Sequence, residues 1–103
     1  MLVSVNEYVL SKQLLKSGTS IGANVEEALA GQSRADFLSK MSIASKEARE
    51  SNYWLRLIMD SKIIEDQYLN PLIAESSEII RMLTSIVKTT SLYNSKLKTK
   101  NLM

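Results

Sequence analysis

The sequence predicts an all-α protein, an up-and-down bundle of long helices, and three observations carry that prediction. Apolar residues recur at alternating spacings of four and three through three long stretches, the rhythm of one helix lying along another. One Pro and three Gly are all that interrupt 103 residues in the way of strong helix breakers. The strongest boundary signals, Gly31, the polar run 65–67 and the pair Asn70 and Pro71, fall between the stretches.

The first helix is expected from about Glu7, with Asn6 as a cap, to Ala30, where Gly31 supplies a left-handed stop. Leu14, Gly18, Ile21, Val25 and Ala28 form its main row, and Leu15, Gly22 and Leu29 a second row beside it. An interior Gly costs about 1 kcal/mol against Ala. Gly18 and Gly22 therefore point to a place where another helix approaches closely. Ser33, three residues before Asp36, is a capping-box arrangement opening the second helix, expected over residues 34–63. Its row is Phe37, Met41, Ala44, Ala48, Ser51, Leu55 and Ile58, small in the first half and bulky in the second. The small section, 44–51, is expected to lie against 18–22, with Tyr53, Trp54 and Leu57 widening the apolar band. Asn70 and Pro71 read as cap and first-turn proline of a third helix reaching about Tyr93. Leu72, Ser76, Ile79, Leu83, Ile86, Thr90 and Tyr93 form one row of it, and Ile73, Ile80 and Val87 the next. The expected organisation is one bundle domain, residues 1–93, followed by a basic, disordered tail, 94–103.

Composition narrows the chemistry. Histidine and cysteine are both absent, which removes the commonest general base, the commonest transition-metal ligand, thiolate nucleophiles and disulfides. Glu47 with Glu50 and Glu75 with Glu78 give only Glu-x-x-Glu spacing where a di-iron bundle wants Glu-x-x-His, so no metal, cofactor or catalytic residue is assigned. No small-molecule substrate is evident. No apolar run approaches the roughly 18 residues of a membrane span and the start has no basic leader, so the expected location is cytoplasmic.

Charge is uneven. Residues 1–87 hold nine Lys or Arg against all eleven Asp or Glu, a net −2, while Lys88, Lys96, Lys98 and Lys100 give residues 88–103 a net +4. These four lysines, joined by Lys12, Lys16 and Arg34, are the candidate nucleic-acid contacts. Asn24 is expected to fix helix register or to cap a neighbouring backbone group, and Glu26 and Glu27 to pair with Arg49 or Arg56, within a chain or across a ring.

The segments QLLKSGTSIGANVEEA, DFLSKMSIASKEARESNYWL and NPLIAESSEIIRML resemble the four-helix-bundle proteins first noted as open reading frames inside intervening sequences of 23S ribosomal RNA genes. The resemblance covers about residues 6–93. It implies an up-and-down bundle assembling as a ring, typically a pentamer, with no established enzymatic activity. Related accessory proteins of diversity-generating retroelements form similar pentamers and work with a reverse transcriptase and its RNA. Family members usually carry a further long helix ahead of the segment that begins here near Glu7, so three helices stand where the resemblance implies four.

The leading expectation is a non-enzymatic scaffold forming a homo-oligomer, with Gly18, Ile21, Gly22, Val25, Trp54 and Leu55 in the oligomer interface or in tight helix packing. The alternative is an RNA-binding accessory protein acting with a nucleic-acid enzyme such as a reverse transcriptase. A protein partner encoded elsewhere is a third reading.

Overall fold

A computed structural model describes the backbone of residues 5–31 and 33–102, with side chains described from 7 to 31 and from 33 to 96. Three helices follow one another: α1 (Val5–Ala30), α2 (Arg34–Asp60) and α3 (Asp66–Leu102). They run up, down and up, with α2 between the other two. No Cα of α1 comes within 8 Å of α3 among the described residues. The molecule measures 64 × 21 × 16 Å, with a radius of gyration of 17.2 Å. A compact domain of this length would have about 13 Å, so the chain is an elongated slab with much helix surface left at its sides.

The boundaries show where local rules prevailed and where packing overrode them. Asn6 lies within α1 rather than ahead of it. At the other end Gly31 donates its N–H to Ala28 O at 3.2 Å, but no described glycine has positive φ. Gly31 is there for space: a Cβ would stand 3.1 Å from Ala28 O and 3.3 Å from Asp36 Cβ. Ser33 caps α2, its backbone extended at φ −145°, ψ 161°, and its hydroxyl accepts from Asp36 N at 3.1 Å. Such a cap contributes about 1 kcal/mol.

The second helix ends at Asp60, three residues short of the expected Ile63. Ser61 Oγ donates to Ile58 O at 2.7 Å, competing for a carbonyl of the last turn. Lys62 then turns the chain at φ 60°, and its Nζ reaches the Asp66 carboxylate at 3.3 Å. The left-handed residue is thus Lys62, not Gly31. The third helix starts at Asp66, and Pro71 sits inside it, so Asn70 and Pro71 are not its cap and first turn. Burial explains the early start. Leu69 is 3% exposed and packs with Leu55 and Ile58, which requires helix before the proline. The backbone also stays helical past Tyr93 to Leu102, so the segment expected as a disordered tail is drawn out as helix.

Two apolar clusters join the layers. At one end Leu55, Ile58 and Leu69 gather Leu10, Leu14 and Ile73. Toward the other, Ala28, Met41, Ala44, Ala48 and Leu83 gather Ile21, Val25, Ile80 and Val87. Between them the helices touch through hydroxyls. Ser51 Oγ donates to Ser17 Oγ at 2.9 Å, and Ser17 Oγ in turn donates to Leu14 O at 3.2 Å. Ser17 and Ser51 are 1% and 5% exposed. On the other side of α2, Asn52 Nδ2 donates to Ser76 Oγ at 2.8 Å, and Ser76 in turn donates to Ile73 O. No buried side-chain nitrogen or oxygen among the described residues is left without a partner.

The α2 row is buried as the spacing predicts, from Met41 to Ile58, with Ser45 added. The close approach to α1 falls elsewhere than expected: Ser17 makes it, while Gly18 and Gly22 would meet nothing within 4 Å if given a Cβ. In α3 the buried row is Leu69, Ile73, Ser76, Ile80, Leu83 and Val87, with Leu72 and Ile79 turned outward.

Because Ala48 is fully buried where α2 meets both neighbours, Ala48→Leu has no room. It should lower the unfolding free energy by about 1–3 kcal/mol, read from the midpoint of urea denaturation followed by circular dichroism. An unchanged midpoint would show that the small-residue layer is looser than described.

Candidate helix-docking groove

The outer helices each carry a second apolar row. On α1, Tyr8, Leu15, Gly22 and Leu29 recur at intervals of seven, with Ser11, Gly18 and Val25 between them. Leu15 and Leu29 are 68% and 71% exposed. On α3, Leu72, Ile79, Ile86 and Tyr93 repeat at the same interval, with Tyr68 ahead of them and Glu75 and Met82 between; Leu72 is 46% and Met82 59% exposed. A strict seven-residue apolar repeat is what a helix presents to another helix.

Parts of both rows face one trough. Its walls are α1 and α3 and its floor is α2, with Leu14, Leu15, Leu55, Ile58, Leu72 and Ile79 among its lining residues. The trough holds about 590 Å³, and among the described residues its lining includes a single carboxylate, that of Glu75. The same packing that buries Leu14 and Ile21 against α2 points Leu15 and Gly18, about a quarter turn round the helix, into the trough.

The other nominated residues sit as follows. Ile21 and Val25 are half-buried against the core, and Leu55 is buried within it. Trp54 is half-buried on another side of α2, its Nε1 donating to Glu50 at 3.3 Å and its ring edge-on to Tyr53 at 5.0 Å; it does not line the trough. Of its two expected roles, Asn24 takes the bond to a backbone group, donating to Ser20 O at 2.8 Å one turn back on its own helix. Glu27 pairs with Lys40 at 2.9 Å, not with Arg49 or Arg56, which bond to Thr84 and Asn52 instead. Leu72 and Ile79 share a sequence row with Ser76 and Leu83, but they lie outward while those two are buried. With Leu69 buried, the inner face of α3 falls between the two rows, taking Ser76 and Leu83 from one and Ile73, Ile80 and Val87 from the other.

A second hollow, of 640 Å³, lies between the start of α2 and the far part of α3, lined by Arg34, Ser39, Ser91, Asn94 and Ser95 among others. The Arg34 guanidinium stacks over Tyr93 at 4.4 Å. Lys88 and Lys96 are exposed on α3, and Lys98 and Lys100 lie on its helical backbone beyond the described side chains. Among the described residues no three His, Cys, Asp or Glu side chains gather as metal ligands, and no helix is long and apolar enough to cross a membrane.

With this geometry in place, the comparison with known proteins is decisive at the level of family. The family model described as "23S rRNA-intervening sequence protein" matches residues 2–85. The chain belongs to that family. A solved structure agrees: a protein of unknown function from the S23 ribosomal protein family of Bacteroides thetaiotaomicron is 49% identical, with a TM-score of 0.76. The match covers 81% of this chain and 74% of that one. No curated protein matches. In this 23S rRNA-intervening sequence family member, then, fold and kinship agree, and the solved relative carries no stated activity.

Since a Cβ at Gly22 meets nothing in the chain, Gly22→Ala should stabilise dilute protein by about 0.5–1 kcal/mol through helix propensity alone. Chemical denaturation at sub-micromolar concentration reads this. A loss of stability would mean that something does pack over Gly22 even in dilute solution.

Proposed function

We propose that this protein is a non-enzymatic helical scaffold that works in the cytoplasm by self-association. The observation that carries the reading is the uncovered apolar surface on both outer helices, Leu15 and Leu29 on one and Leu72, Ile79 and Met82 on the other. Contiguous apolar patches larger than a few hundred Å² mark association surfaces on soluble proteins. The seven-residue spacing supports a helical cover. A ring, with five copies as the resemblance implies, needs two unlike surfaces on each chain, and the rows on α1 and α3 differ in that way.

Light scattering coupled to size exclusion tests this directly. The expected mass is a multiple of 11.6 kDa at micromolar concentration, and five chains would support the ring. Gly22→Glu should shift the mass to one chain while leaving helicity unchanged, because the glycine touches nothing within its own chain. A wild-type monomer, or a Gly22→Glu multimer of unchanged size, would remove the reading.

RNA binding is the second reading, favoured by one feature: among the described residues the hollow holding Arg34 has hydroxyls and an amide but no carboxylate in its lining, with Lys88 and Lys96 exposed on the same helix as its far wall. A salt-reversible excess of absorbance at 260 nm in the same chromatogram would support it. Protein that binds no RNA at low salt would end it. Each lysine engaged on single-stranded RNA should contribute about 0.7 log units per decade of salt.

A further inference from the structure

We infer that the hollow between the start of α2 and the far part of α3 holds one unpaired nucleotide of a single-stranded RNA, with its base on the Arg34 guanidinium and the neighbouring phosphates on Lys88 and Arg49. The inference rests on the RNA-binding reading above and deepens it: it names the residue that meets a base and the form of RNA that is taken.

Register joins the hollow to a longer basic strip. On α3, Thr84, Lys88, Ser91 and Ser95 follow at four, three and four and share one side of the helix. Ser91 and Ser95 line the hollow, and Thr84 accepts from Arg49 of α2 at 2.9 Å. On α2, Ala35, Leu38, Ser42 and Arg49 follow at three, four and seven, and Ala35 and Leu38 are in the lining. The two sides make one surface from Arg34 to Arg49, about 22 Å of helix. The acids of this part of α2 lie elsewhere. Asp36 and Glu47 share a helix side with Lys40, which pairs with Glu27 of α1, and α3 has no Asp or Glu after Glu78. The strip is thus positive, with Arg34, Arg49 and Lys88 exposed along it, and such a surface attracts a polyanion.

The hollow adds to charge a place for a base. Arg34 stands over the Tyr93 ring at 4.4 Å, and it is Arg34, not Tyr93, that lines the hollow. A guanidinium held by an aromatic ring is a platform on which a nucleobase stacks, because every base has a π-face. Ala35 and Leu38 put apolar surface beside that platform. Asn94, half-buried in the lining, offers a base edge both a donor and an acceptor. The volume of about 640 Å³ falls within the ~300–1,000 Å³ of pockets that hold small ligands. A base inside a duplex has both faces covered by its neighbours, so the platform selects unpaired RNA. An acidic peptide would meet the same cations but has no base to lay on Arg34.

Fluorescence anisotropy at low salt tests this on the full chain with labelled RNAs: an octamer of uridine, the same octamer without its bases, and the uridine octamer paired to its complement. The uridine octamer should bind about tenfold more tightly than the abasic strand of equal charge. Arg34→Lys keeps the charge and removes the planar guanidinium. It should bring the uridine octamer down to the abasic level while leaving the abasic strand and the duplex unchanged. Lys88→Gln should weaken all of them and lower the salt slope of the single strands by about 0.7. Both residues are exposed, so both variants should keep the wild-type circular dichroism. Equal binding of the two single strands, or an Arg34→Lys protein that still prefers the bases, overturns the inference and leaves the RNA reading standing. So does displacement of the uridine octamer by micromolar uridine monophosphate, which would make the hollow a site for free nucleotide. Binding of neither octamer removes both readings together.

Discussion

The rest of the structure depends on the close contact of α2 with both neighbours, made by residues too small to hold helices apart. Ala44 and Ala48 are fully buried, and Ser51 meets Ser17 oxygen to oxygen at 2.9 Å. Helices meeting through such residues come near enough for many small dispersion contacts to add up. The hydroxyls that let them approach are each satisfied by a carbonyl one turn back or by a side chain across the contact. The middle helix is therefore the one element that both others require. Ser17→Val or Ser51→Val would leave a buried oxygen without its partner as well as adding bulk.

Centring the chain on α2 has a cost at the sides. The outer helices are held by the middle helix and not by one another at backbone level, so each has a face turned away from the core. Those faces are apolar at heptad spacing rather than polar, and 103 residues arranged 64 Å long have no further helix to lay over them among the described residues. The uncovered stripe of Leu15, Leu29, Leu72 and Met82 is the feature on which the proposed self-association rests.

Much of this was legible in the sequence, and the parts that were not have physical causes. The three helices, the Ser33 cap and the whole α2 row follow from spacing, because α2 is flanked on two sides and its small and bulky halves leave one arrangement. On α1 and α3 two apolar rows lie side by side, and spacing alone does not say which is inside. Ser17 decides for α1, and a serine is read as polar until its hydroxyl is seen bonded to Leu14 O and Ser51. Leu69 decides for α3, and it stands before Pro71, where local rules place a turn. Gly31 was rightly a boundary but for a different reason, crowding by Asp36 and Ala28 instead of a left-handed φ. The groove needed the structure, since it is made by residues on three helices. Only the second row on α1 hinted at it.

Hydroxyl-radical footprinting of the protein across a range of concentrations tests the central claim most directly, because it reads side-chain exposure residue by residue without altering the chain. If the α1–α3 face is the association surface, Leu15, Leu29 and Leu72 lose reactivity as concentration rises. Tyr53, 49% exposed on the opposite side of α2, stays as reactive as in dilute protein. Leucines that remain equally reactive at every concentration, or protection confined to Tyr53, would contradict the account.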